Sequence, residues 1–556
     1  MNPCPALTIS SHPRPARDFI ARAAGVMLAL LAPARAEVDV LTQHNDPART
    51  GANLEETTLN CANVNPRQFG LLYRYPVEGC VYAQPLYVAN LTIPGQGVHN
   101  VLYVVTMADI VYAFDADRNL TLWQVKFTRA KHITPVPITD ITHRNDLNIH
   151  GDVGILSTPV IDLPRHIMYL LARTKEDGVY MQKLHALDLA TGQETCGGPA
   201  VIQAAVPGEG AGSVGGTVAF DPLKQCQRPG LALTHGNVII AWASHEDIGP
   251  YHGWVMAYDQ LTLKQVATYN TTPDGDDGGI WQSGQAPAID ADGNLYLMSG
   301  NGDWNGARNM GCSLLKLSGG ALSLLDWFTP DGPNDNPAVM NAKDADMGSS
   351  GVLLVPGTPV AMGGSKQGLL YLCDRTNLGH MVKDNPQIIQ RVQAVTLSRC
   401  TPHLHGSPIY WQSDRNGPMV YLWGENDFGK AYRFVDGKLE LPAHVLTTAR
   451  SPISGCGMPG GILSLSAHGG GAGTGIVWAN CVYSGDALHD IAPGILRALD
   501  ADDLSHELWN SQMSPVDDLG FYAKYCPPTI ANGKVYMATF SSSVNVYGLR
   551  AVAGPQ

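Results

Sequence analysis

Val111-Tyr112-Ala113-Phe114-Asp115-Ala116-Asp117, closed by Leu122-Trp123, is the stretch on which the fold turns. Its apolar alternation reads as a strand, and Asp115 with its polar successors reads as the turn that ends it. The pattern returns as Leu184-His185-Ala186-Leu187-Asp188-Leu189-Ala190-Thr191-Gly192, as Val255-Met256-Ala257-Tyr258-Asp259 and as Leu370-Tyr371-Leu372-Cys373-Asp374-Arg375. Near the end it is Leu496-Arg497-Ala498-Leu499-Asp500-Ala501-Asp502, again followed by Leu508-Trp509. A proline-marked strand leads each unit: Ala83-Gln84-Pro85-Leu86, Ser157-Thr158-Pro159-Val160, Gln285-Ala286-Pro287-Ala288, His405-Gly406-Ser407-Pro408 and Cys526-Pro527-Pro528-Thr529. With weaker copies near Gly216, Ser350 and Gly461, the count is eight units of roughly 55–75 residues, a period that signals propellers or solenoids. Period-2 alternation and the scarcity of helical patterns predict an all-β chain, an eight-bladed β-propeller of four-stranded antiparallel sheets. Leu71-Leu72-Tyr73-Arg74-Tyr75 is expected to close the ring as the outer strand of the last blade. The repeated Asp, Gly and Trp are turn and packing residues, so they report fold and carry little chemistry.

The 556 residues are 44% hydrophobic, with 60 Gly and 38 Pro, as a turn-rich β chain requires. The formal charge of -13 and the lack of a long basic run argue against nucleic acid as a partner. Arg14, Arg17 and Arg22 precede the apolar run Val26–Ala32, and Ala34-Arg35-Ala36 fits a small-x-small cleavage site. Residues 1–36 are therefore expected to be a secretion signal, and 37–556 one propeller, periplasmic or secreted and without a membrane span. Beyond Cys4, ten cysteines remain, an even number that suggests disulfides in an exported chain. Cys61–Cys80 and Cys196–Cys226 are plausible local pairs, although sequence does not fix connectivity. No Cys-x-x-Cys or Cys-x-x-Cys-His occurs, which speaks against a zinc ribbon and a covalent haem.

The repeat ending in Leu-Trp resembles the blade of the pyrroloquinoline-quinone (PQQ) dehydrogenases, and three further stretches sharpen the match. Gly279 to Asp290, with Trp281, runs into Leu295 to Asn305, with Asn301. This looks like the family segment that carries the tryptophan floor beneath the quinone and then a calcium-binding asparagine. Lys343-Asp344-Ala345-Asp346-Met347-Gly348 looks like the segment of the catalytic aspartate, and Gly364-Ser365-Lys366-Gln367-Gly368 is similar to the one whose basic residue contacts the quinone. Ile239 to Asp247 sits where the family places its calcium-binding carboxylate, with Glu246 or Asp247 in that role. The resemblance implies a quinoprotein oxidoreductase using PQQ and calcium on an alcohol or sugar hydroxyl, with room for a redox partner protein.

The residue types suit that chemistry. A flat quinone needs an aromatic face such as Trp281, and its carboxylates need a cation such as Lys366. Calcium takes hard oxygen ligands, which Glu246, Asp247 and Asn301 offer. Asp346, or Asp344 two residues earlier, is the candidate base for the substrate hydroxyl. Plainer readings stand beside these: blade packing for Trp281, a Gly-Asn-Gly turn for Asn301, local amide binding for Asp344 and Asp346, and solvation for Lys366. A second class of function is a cofactor-free propeller acting as a binding scaffold. A third is a metal-dependent, polysaccharide-active enzyme built on His150, His245, His252 and His405, since loop histidines suit a transition metal. His403 and His468 occupy similar loops, and alternation along an extended chain puts His403 and His405 on one face.

Overall fold

A computed structural model describes residues 38–143 and 148–551. The expected secretion signal, residues 1–36, lies outside the described residues. Eight sheets form an eight-bladed β-propeller. Blade 1 comprises Leu86–Ile93, Gly97–Val105, Ile110–Asp115 and Leu120–Lys126. Blade 2 is built on Val160–Asp162, Ile167–Glu176, Val179–Asp188 and Ala200–Val201, and blade 3 on Ala232–Thr234, Asn237–Ser244, Trp254–Asp259 and Gln265–Asn270. Blade 4 contains Ala288–Ile289, Leu295–Met298, Leu314–Leu317 and Leu324–Phe328; blade 5 contains Leu353–Leu354, Val360–Gly364, Leu369–Asp374 and Gln390–Gln393. Blade 6 is Ile409–Ser413, Gly417–Trp423, Asp427–Val435 and Val445–Ser451, and blade 7 is Gly461–Ser466, Ile476–Val482, Gly494–Asp500 and Glu507–Asn510. Thr529–Ala531, Lys534–Ala538 and Ser543–Leu549 form blade 8, completed by Phe69–Pro76 from the other end of the chain.

Inner strands are pressed between neighbouring blades on both faces, so they read as unbroken apolar runs. Asn237–Ser244 and Ile476–Val482 are buried at every position. Outer strands such as Leu120–Lys126 keep water-facing positions and therefore a mixed pattern. Short strands extend some sheets beyond the basic four: Ile133–Pro137 and Asp152–Val153 in blade 2, and Gln225–Cys226 in blade 3. Ala205–Pro207 and Thr217–Ala219 form a hairpin of their own.

The repeated aspartates close turns, as the sequence indicated. Asp188 Oδ1 accepts from the Thr191 amide at 2.9 Å and from its hydroxyl at 2.7 Å, and Asp259 Oδ1 does the same with Thr262. Each such turn also receives a side chain from the blade before it. The hydroxyls of Tyr103, Tyr169, Tyr421 and Tyr536 donate to Leu189 O, Gln260 O, Ala501 O and Ala116 O, at 2.8, 2.9, 2.8 and 3.1 Å. Trp123 Nε1 joins Tyr103 on Leu189 O at 3.1 Å, and its ring lies where a Cβ on Gly192 would come within 2.7 Å. These tyrosine latches went unread in the sequence, because each tyrosine looks like one more apolar strand residue.

The ring closes as expected, with Leu71 opposite Tyr547, Arg74 opposite Asn545 and Tyr75 opposite Val544. A second closure was not foreseen. The segment before that strand runs round the axis and bonds one blade after another. Val40 pairs with Tyr87 of blade 1, and Leu41 O accepts from Ile161 N of blade 2 at 2.9 Å. Pro47 O, Ala48 O, Thr50 O and Gly51 O then accept from Ile289 N, Leu354 N, Tyr410 N and Leu465 N of blades 4 to 7, at 2.8 to 3.0 Å. Asn53 Nδ2 completes the circuit on Ile530 O of blade 8 at 2.9 Å. Buried Arg49 knots the segment, donating to Pro287 O and Gln43 O.

The disulfide expectation is corrected. Cys61, Cys80, Cys196 and Cys226 are free thiols, and among the described residues the one disulfide is Cys400–Cys456. The expected pairs are close in sequence only. Cys61 bonds Gly475 O beside blade 7, whereas Cys80 lies near Tyr82, and Cys226 is buried near Arg173 and Arg228 while Cys196 sits near Glu194 and Arg165. No helix among the described residues is long and apolar enough to cross a membrane.

Candidate functional site

One face of the ring gathers two kinds of connection: the segment entering the first strand of each blade, and the hairpin between its second and third strands. Their side chains surround a cavity of about 270 Å³ that is lined by Trp281, Asp247, Asp344, Asp346, Lys366 and His405, among others. Trp281 and Ser283 enter blade 4, and Asp344 and Asp346 precede blade 5. Glu246 and Asp247 lie in the hairpin of blade 3, Asn301 in that of blade 4 and Lys366 in that of blade 5. The backbone is left-handed at Glu246, Asp247, Gln282, Ser283 and Asp344, with φ of 54°, 53°, 46°, 45° and 50°. Such non-glycine positions cost energy and cluster where a structure holds a functional geometry.

Lys366 is the hub of the carboxylate cluster. Its Nζ lies 2.6 Å from Asp346 Oδ2 and 2.9 Å from Asp344 Oδ1. Asp346 Oδ1 accepts from the Asn301 amide at 2.8 Å, and Asn301 Nδ2 donates to Asp344 Oδ1 at 2.9 Å. Burial disfavours the ammonium, but Asp346 and Asp344 more than offset it and hold Lys366 charged well above the usual lysine range. Asp346 is 8% exposed and Asp344 64%, so the first is the interior carboxylate and the second its rim partner. Burial, then repulsion from Asp346, raises the Asp247 carboxyl against the Tyr251 hydrogen bond. Burial and a ring of carboxylates, Asp276, Asp247, Asp303 and Asp346, push neighbouring Asp277 up to about 7. Gly300 permits this crowding, since a Cβ there would meet Asp346 Oδ1 at 2.5 Å and Trp281 Cδ1 at 2.8 Å.

Several residues in or beside the cavity were missed in the sequence. Arg228, entering blade 3, lies 4.9 Å over the Tyr525 ring. Lys524 Nζ donates to Asn148 Oδ1 at 2.6 Å. Burial, then the charge of Arg228, hold Lys524 well below the ordinary lysine range. Glu425, in the hairpin of blade 6, meets His403 and His405. Repeat register could have found Glu425, which stands where Asp247, Asn301 and Lys366 stand in blades 3, 4 and 5.

The structure does not gather the four histidines offered as a metal set. His245 Nε2 faces Arg173 Nη1 at 2.7 Å, and His252 is held by the Thr272 hydroxyl and Ala211 O at 3.0 and 2.9 Å. His150 lies near Lys524, His489 and Glu246, so of the four only His405 lines the cavity. Burial, then the charges of His403, Lys366, Lys524 and Arg228, keep the His405 imidazole neutral. Glu246 parts from Asp247, its Oε1 accepting from the Asn148 amide at 2.7 Å.

The chain is an eight-bladed propeller with a polar cavity, and the propeller is an architecture shared with solved quinohemoprotein alcohol dehydrogenases. Among solved structures, the chain is similar to the quinohemoprotein alcohol dehydrogenase of Comamonas testosteroni, at 15% identity and a TM-score of 0.56 over 93% of this chain and 82% of that one. A quinohemoprotein alcohol dehydrogenase of Pseudomonas putida HK5 gives 15% and 0.55, over 93% and 81%. A europium-containing methanol dehydrogenase gives 13% and 0.58, over 92% and 98%. The likeness is one of fold. No protein-family model matches the sequence, and no curated protein matches it.

Proposed function

We propose that this chain is a quinoprotein-type oxidoreductase that oxidises an alcohol or sugar hydroxyl with PQQ and calcium in the axial cavity. The observation that carries the reading is the meeting of Trp281, Asp247, Asp344, Asp346 and Lys366, drawn from blades 3, 4 and 5, at one cavity, with Asn301 bonded to Asp344 and Asp346 behind it. The donor set fits the two groups. The Trp281 indole offers a flat apolar face whose Nε1 has no partner, and Lys366 and Arg228 offer cations for ring carboxylates. Asp247, Asp346 and the Asn301 amide oxygen are hard oxygen donors; that oxygen has only the Cys312 thiol near it, at 3.9 Å. The crowding of carboxylates around Asp247 and Asp277 is of the kind a divalent cation relieves.

Bound quinone supplies the two-electron acceptor, and calcium a Lewis acid beside it. The protein's own part is placement and proton handling. Asp346 takes the hydroxyl proton of the substrate, and Lys366, 2.6 Å away, holds its carboxylate in place. The Asn301 amide fixes the other oxygen of that carboxylate, and Asp344 stands at the solvent side as the outlet for the proton.

The test is to mix purified protein with PQQ and calcium, follow saturable binding, and then measure dye reduction with a panel of alcohols and sugars. Trp281→Ala is expected to abolish binding. Asp346→Asn should bind while losing about 10²–10⁴-fold in kcat, the usual weight of a general base. Absence of saturable binding by the wild-type chain would end the proposal.

A further inference from the structure

Beside the carboxylate cluster, against the same cavity, two histidines and a glutamate converge. His403 Nδ1 lies 3.2 Å from Glu425 Oε2, and His405 Nε2 lies 3.6 Å from the same oxygen. The three atoms fall within 4.8 Å of one another, all are buried, and none has a hydrogen-bond partner among the described residues. We propose that His403, His405 and Glu425 form a binding site for a zinc-class divalent metal ion, with open coordination positions turned into the axial cavity.

The hydrogen-bond chain behind His405 is the first support. The Ser283 hydroxyl donates to Ser349 O at 2.5 Å, so its oxygen is left to accept from His405 Nδ1, 3.3 Å away. That fixes the tautomer: Nε2 carries the lone pair and points at a carboxylate oxygen. Two acceptors face each other without a proton between them, an arrangement that a cation converts from repulsion to coordination.

The second support is the holding of the glutamate. Glu425 Oε1 accepts from the Thr401 hydroxyl and from Asn426 Nδ2, which orients the carboxylate and leaves Oε2 for the ion. The Glu425 amide donates to His403 O at 2.8 Å, tying the two chain segments together. The Cys400–Cys456 disulfide braces them, helped by Asn426, which donates to Thr401 O at 3.0 Å and accepts from Gly457 N at 2.8 Å.

Ligand type decides the ion. Two imidazoles with one carboxylate suit zinc or iron rather than calcium, which prefers oxygen alone. Three protein ligands leave a fourth position for water or a substrate oxygen, and His403 and His405 line the cavity from which it would come. The site is separate from the oxygen donors Asp247 and Asn301, so it stands or falls independently of the quinone reading.

The full chain, stripped with chelator, is titrated with Co²⁺ while visible absorbance is recorded. About one equivalent is expected to bind with the strong absorption of four- or five-coordinate cobalt, and Zn²⁺ should displace it. His405→Ala and Glu425→Gln should lose the signal, and Asp247→Asn should keep it. Thr401→Val, which removes only a supporting donor, should weaken binding about 10- to 100-fold with the thermal melt unchanged. A folded wild-type chain that binds no Co²⁺ overturns the proposal. So does an unaltered titration in both Glu425→Gln and Thr401→Val.

Discussion

Asp277 shows how residue chemistry at this face enters stability. Its carboxyl titrates near 7 in the folded chain against 3.8 when free. Between those values the native state holds a proton that the unfolded state has released, so stability falls as pH rises from about 4 to about 7. Asp277→Asn should flatten that slope in urea midpoints measured across this range, and a slope equal to wild type would contradict the assignment. The candidate residues Trp281, Asp346 and Lys366 were legible in the sequence because short motifs surround them. Glu425, Arg228 and Lys524 were not, since each stands in a stretch without a motif and gains meaning only from its place around the axis. The disulfide was misread for the same reason: Cys400 and Cys456 are 56 residues apart, one entering blade 6 and the other leaving it, and only the fold brings them together.

Among the elements, strands were readable from alternation and turns from Asp and Gly, whereas the latches between blades were not. A tyrosine in a second strand serves packing through its ring and the next blade through its hydroxyl, and only the first shows in a hydropathy pattern. Tyr103, Tyr169, Tyr421 and Tyr536 are buried, as are the regions of the turn carbonyls they reach. Leu189 O and Ala116 O keep a second donor, Trp123 Nε1 and the Tyr73 hydroxyl, so it is Tyr169→Phe and Tyr421→Phe that keep the ring and orphan a carbonyl, each at about 1–3 kcal/mol by denaturant unfolding. Losses near zero at both positions would mean that water satisfies those carbonyls and that the latches do not hold the blades.

At the scale of the whole molecule, the number of blades and the closing strand followed from counting repeats. The circuit of residues 40–53 did not, because this segment has no strand pattern and takes its bonds from other blades. Gly51 is its tightest point, with φ of 69° and room for a Cβ only 2.5 Å from Ile409 Cγ2. Gly51→Ala should lower stability by roughly 1–3 kcal/mol. It should also separate the unfolding curves seen by near- and far-ultraviolet circular dichroism, since the segment couples seven blades into one transition. Coincident curves with an unmoved midpoint would show that the circuit is decorative. Blade 8 carries a further consequence, for biosynthesis. Phe69–Pro76 leaves the ribosome long before its mate Ser543–Leu549. Until that mate arrives the nascent polypeptide is an arc with two bare edges, prone to sticking to its neighbours and best kept apart by a holding chaperone.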